Sequence, residues 1–245
     1  MDEQETVTTQ AGPEPEPEKA SRWEDYIDVF FSPFELFRRR AHDKVAPPLL
    51  TLLALGIVFY LVMIPANRIV VRGSIPPEQQ AQMSEGMINI MSYAGVIGVP
   101  LMYLFMTLIA AALLWVGARI IDIRADFSRT MLIATYAAFV LLLSQILASV
   151  LVMIGGEASF DIARSMSFGP LRFIGSADMN RSLSAVLQRF DIFAIWQAAL
   201  WAIGLSVIYK VSMGRAAAVA AVVWILFAVP GIVMGLLGIG GPPAT

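Results

Sequence analysis

The sequence predicts an all-α polytopic membrane protein: a bundle of five transmembrane helices with a cytoplasmic interfacial helix before the first span. Three observations predict it. The 245 residues are 58% hydrophobic and 15% charged, with a mean hydropathy of +0.71. Soluble domains average roughly 45–50% apolar and about 25% charged residues, so lipid must solvate part of this chain. Five apolar stretches each approach the roughly 20 residues that a spanning helix needs. The basic residues also fall unevenly among the segments between those stretches.

Residues 1–20 read MDEQETVTTQAGPEPEPEKA. They are acidic, Pro-rich and almost without large apolar groups, so they cannot bury enough surface to order themselves. The reading is a disordered tail; a signal peptide would need a basic start and an apolar core.

Residues 21–44 form an aromatic and basic segment. Trp23, Tyr26, Ile27, Phe30, Phe34 and Phe37 recur at helical steps of three and four. Pro33 interrupts the run. Ser32 then reads as a fresh N-cap, with Pro33 in the first turn and Glu35 three residues after the cap. Arg38, Arg39, Arg40 and Lys44 follow. An aromatic face beside a basic cluster fits a helix lying in the membrane interface against anionic lipid headgroups. The competing reading is a helix packed on the protein's own cytoplasmic face.

Residues 45–238 carry the five spans, at about 45–66, 93–118, 130–154, 192–211 and 216–237. Pro47 and Pro48 open the first, and Pro100 and Pro230 lie inside the second and fifth. The long segments 67–92 and 155–191 each suggest a short amphipathic helix. In the second, Met179, Leu183, Val186, Leu187 and Phe190 share one face. With the N-terminus in the cytoplasm, the inside carries Lys19, Arg22, Arg38–Arg40, Lys44, Arg119, Arg124, Arg129, Lys210 and Arg215. The outside carries Arg68, Arg72, Arg164, Arg172, Arg181 and Arg189. The positive-inside rule favours this orientation. It places the short tail 239–245 outside.

The chemistry of the spans is sparse. Away from their ends they contain no Asp, Glu, Lys, Arg or His. Proton relays, ion-coupled transporters and intramembrane proteases need such groups. The chain has no Cys, which excludes disulfides and thiolate metal sites, and its single His42 reads as a surface residue. No catalytic, cofactor or metal-binding set stands out, and no nucleic-acid partner is expected. Gln145 and Gln197, large amides on consecutive spans, read as interhelical hydrogen-bonding residues. Gly231 and Gly235 match GxxxG, a spacing that brings helices together within one chain or between copies.

The segments FFSPFELF at 30–37, DFSRTMLIATYA at 126–137 and FDIFAIWQAALWAIGLSVIYKVSMGRAAAVAAVVW at 190–224 resemble the Yip (Ypt/Rab-interacting protein) family, in its bacterial branch. The resemblance covers about residues 24–238. It implies a five-span membrane adaptor of the bacterial inner membrane; eukaryotic members engage small GTPases. Their pre-membrane Asp-Leu-Tyr-Gly-Pro is replaced here by Phe31-Ser32-Pro33-Phe34, and their Gly-Tyr by Thr135-Tyr136, so GTPase binding is not carried over. The expected function is a non-catalytic organiser or adaptor, with the bilayer and a membrane-protein partner or second copy as its partners. The alternative is a permease-like transport component for a small solute or lipid.

Overall fold

The computed structural model describes residues 23–75, 79, 82–156, 161, 165–174 and 181–237. The reading of residues 1–20 as disordered, the terminal tail and Met179 lie outside them. Among the described residues the chain is helical, with no strand. Two short helices, α1 (Asp25–Phe31) and α2 (Pro33–Arg40), precede the bundle. The bundle is built from α3 (Ala46–Val62), α4 (Ile64–Gly73), α5 (Glu85–Ile120), α6 (Phe127–Gly155), α7 (Arg181–Gln188), α8 (Ile192–Tyr209), α9 (Met213–Leu226) and α10 (Val229–Leu236).

Among the described residues, four runs are long and apolar enough to cross a membrane: α5, α6, α8, and α9 with α10 taken together. The fifth is α3 with α4, bent by 77° at their junction. The sequence suggested one straight span through residue 66. The straight part instead stops at Val62, because Pro65 in the first turn of α4 lacks an N–H and its ring clashes with the preceding turn. Seventeen residues reach only about 25 Å, so α3 alone is shorter than the roughly 30 Å hydrocarbon core. Beyond the bend, Arg68 and Arg72 reach Glu85 at 3.4 and 2.6 Å and tie α4 to the start of α5.

Helix α5 begins eight residues before the predicted span. Ser84 caps it by accepting a hydrogen bond from the Met87 N–H, and Glu85 lies at the positive end of the dipole. Its Ile97, Leu101, Met102 and Phe105 are exposed and face the bilayer. Helix α6 is the central element. Asp126 caps it through the Arg129 N–H, and every residue from Thr130 to Val140 is buried. Helix α8 crosses it closely at Gly204, where a Cβ would fall 2.6 Å from Ile133 Cγ2. The start of α6 and the end of α8 are level. Tyr209 Oη donates to the Asp126 carbonyl at 2.8 Å and lies 2.8 Å from Thr130 Oγ1. The expected amphipathic helices of the two long segments correspond to α4 and α7.

Candidate functional site

The charged side chains that matter come from the hairpin before the first span. Asp25 and Asp28 lie in the first turn of α1, and Arg38, Arg39 and Arg40 in the last turn of α2. Each placement suits the local helix dipole. Ser32 stands at the predicted cap position and Pro33 at the first turn, but the Ser32 side chain makes no capping bond. Its backbone carbonyl instead accepts from the Glu35 and Leu36 N–H groups. The reversal at Ser32 brings the two charged ends together. Arg39 Nη2 donates to Asp25 Oδ1 at 2.7 Å and to Asp28 Oδ2 at 2.6 Å. Arg40 Nε donates to Asp25 Oδ2 at 2.8 Å, and its Nη1 to Asp43 at 3.1 Å.

Asp25 is 1% exposed. Removing a carboxylate from water is costly unless partners replace the water. Here two guanidinium groups do so, joined by the Tyr136 hydroxyl, which donates to Asp25 Oδ2 at 3.4 Å. Burial pulls the Arg39 and Arg40 guanidinium groups down, but hydrogen bonds and charge from Asp25, Asp28 and Asp43 outweigh it. Both end above the ordinary arginine value.

The cluster's Tyr136 partner lies partway along the bundle. Tyr136 is nine residues past Phe127, about 13 Å along α6. Since the start of α6 is level with the end of α8, that is roughly half of the ~27 Å length of α8. Tyr26 packs at a tilt against Phe139 with ring centroids 4.8 Å apart, and its hydroxyl donates to Thr51 of α3 at 2.9 Å. Val29, Leu36 and Phe37 are fully buried. The hairpin therefore fills the space beneath the first turn of α3, against α6 and α8.

This placement divides the aromatic and basic segment. Phe37 is buried, Tyr26 and Phe30 are half-buried, and Trp23 and Phe34 are exposed. Together with Ile27 and Phe31 they form an outward ridge, on which Phe31 is 81% exposed. Of the basic residues, Arg38 is exposed, whereas Arg39 and Arg40 are held by carboxylates. The single helical face read from the sequence is two faces, because the Pro33 reversal turns α2 against α1. Asp25 and Asp43 escaped the sequence reading, and Tyr136 entered it through the family comparison. The findable signal was two carboxylates at i, i+3 ahead of a Ser-Pro turn and two arginines after it.

A cavity of about 370 Å³ opens beside the cluster. Asp25, Tyr26, His42, Asp43, Lys44 and Tyr136 supply its polar lining, and Pro47 and Pro48 an apolar wall. His42 Nδ1 lies 3.3 Å from Arg129 Nη2, linking the α2–α3 loop to α6.

The remaining predicted residues lie elsewhere. Gln145 and Gln197 are half-buried on α6 and α8. Gly231 and Gly235 pack against α7. A Cβ at Gly231 would meet Ala185 Cβ at 2.6 Å, one at Gly235 would overlap Ser182, and Ser182 Oγ donates to the Ile232 carbonyl at 3.1 Å. On the same face as the cluster, Arg119 covers the Trp115 ring at 4.7 Å and donates to the Ala125 carbonyl. Arg215 reaches the Ile121 carbonyl.

Among protein-family models, that of the Yip1 domain matches residues 27–234. No curated protein and no solved structure matches the chain.

Proposed function

The chain belongs to the Yip1-domain family, and from that premise we infer that it is a non-catalytic organiser or adaptor for other membrane proteins. One observation supports this above the rest: the α1–α2 hairpin is fastened to the bundle through buried Asp25, while Trp23, Ile27, Phe31 and Phe34 point away from it. A fixed, outward apolar ridge is a surface that a partner helix recognises. The basic-residue distribution and the segments at 30–37, 126–137 and 190–224 support a bacterial member in the inner membrane, N-terminus cytoplasmic and C-terminus outside. Exposed Arg38 and Lys44 support contact with anionic headgroups. The absence of ionisable residues within the spans supports a role without catalysis.

Photo-crosslinking from a reactive analogue at Phe31 in whole membranes tests the reading. A discrete protein adduct that disappears when Phe34 is replaced by Ser is the expected result. Adducts with lipid alone would overturn it. The second reading, a permease-like component, draws on the cavity beside Asp25. It requires solute flux or lipid scrambling in proteoliposomes, which an adaptor does not.

A further inference from the structure

We propose that the cavity between the hairpin and the start of α3 is a headgroup site for an aminophospholipid, such as one carrying phosphoethanolamine. The argument starts from proton bookkeeping. The Tyr26 hydroxyl proton is committed to Thr51 Oγ1, and the Tyr136 proton to Asp25 Oδ2. Both phenolic oxygens therefore face their surroundings as acceptors. The Asp43 carboxylate uses Oδ2 on Arg40 and keeps acceptor capacity on Oδ1. Three acceptors on one cavity match the three N–H donors of a primary ammonium. A choline headgroup has a positive charge but no N–H to donate.

The other charge is supplied at the rim. Lys44 and His42 line the same cavity, and Lys44 is exposed and forms no ion pair with a described residue. A phosphodiester placed against Lys44 makes a charge-assisted contact. A purely anionic headgroup would gain Lys44 but leave Asp43 facing negative charge. The cavity's two signs thus fit a zwitterion whose amine is primary. A volume of about 370 Å³ lies within the range of small-ligand sites. The surroundings suit a lipid: Pro47 and Pro48 wall the cavity and exposed Leu50 follows them on α3, an apolar path for an acyl chain.

The test uses the full-length protein in detergent, titrated with phosphatidylethanolamine, phosphatidylcholine and phosphatidylglycerol and read by native mass spectrometry. Phosphatidylethanolamine should bind about tenfold more tightly than either other lipid, the factor that 1.4 kcal/mol produces. Lys44→Glu and Asp43→Asn, both at exposed positions, should each abolish that preference without lowering thermal stability by more than a few degrees. Equal binding of the three lipids, or a preference unchanged in both variants, would overturn the proposal. Displacement of bound lipid by soluble glycerophosphoethanolamine at equal concentration would also overturn it, by assigning the cavity to a soluble amine phosphate.

Discussion

At the scale of the residue, Asp25 is the side chain on which the hairpin depends. Replacing it with Asn preserves shape but leaves Arg39 and Arg40, only 28% and 13% exposed, without their shared carboxylate. Breaking a buried ion pair from one side costs roughly 3–5 kcal/mol. Partial exposure of the arginines screens the effect, so Asp25→Asn should cost about 3 kcal/mol. Thermal unfolding in detergent measures it, with Arg38→Gln as the comparison, since Arg38 is exposed and changes little. Equal losses from the two variants would show that the ion pairs contribute nothing. The pH dependence follows from the arginines. Their folded values lie above the ordinary one, so their stabilisation is complete below the ordinary arginine value and is lost only as pH rises through the higher folded value. Stability should therefore show no transition from this source between neutral and mildly alkaline pH, as unfolding midpoints across that range will report. Asp25 was illegible in the sequence because its burial depends on Tyr136, 111 positions away. The spans carry no buried ion of their own, and the hairpin brings one to their side.

At the scale of the element, local signals were legible where a helix is shaped by its own sequence. Leu183, Val186 and Leu187 marked α7 by periodicity, and Pro33 marked the break between α1 and α2. Boundaries were less legible. Helix α5 starts at Glu85 under the Ser84 cap, and α3 stops at Val62 ahead of Pro65, with Tyr60 Oη donating to the Ser92 carbonyl at 2.9 Å. The GxxxG pattern was legible as a close approach but not as to its partner, which is α7 of the same chain. In lipid, apolar burial supplies no hydrophobic drive between helices, so close packing decides which surfaces associate. Gly231→Ala forces Cβ against Ala185, which has no flexible end to yield. Overpacking of this kind costs typically 1–3 kcal/mol. The expected outcome is a lower unfolding temperature at unchanged mass in light scattering. Gly214→Ala, where a Cβ meets nothing within 4 Å, should be neutral. A change in oligomeric mass with intact stability would instead assign the glycines to an interface between copies.

At the scale of the whole molecule, three segments separated in sequence share one face. His42 of the α2–α3 loop reaches Arg129 at the start of α6. Tyr209 at the end of α8 bonds Asp126, and Arg215 at the start of α9 bonds Ile121. These are the segments whose basic residues the sequence assigned to the cytoplasm, so the contacts agree with their lying together. Five crossings follow only if α3 with α4 counts as one. If the bent pair crosses, Ser74 lies opposite that face. Re-entry would instead leave Asp126 across α5 from the α2–α3 loop, against the 3.3 Å contact between His42 and Arg129. Reporters active only outside the cytoplasm test the crossing. Fusions after Ser74 and after Thr245 should be active, and a fusion after Asp126 silent. An inactive Ser74 fusion beside an active Asp126 fusion would invert the orientation, because the His42 contact with Arg129 keeps the hairpin and its Asp25 cluster on the Asp126 side.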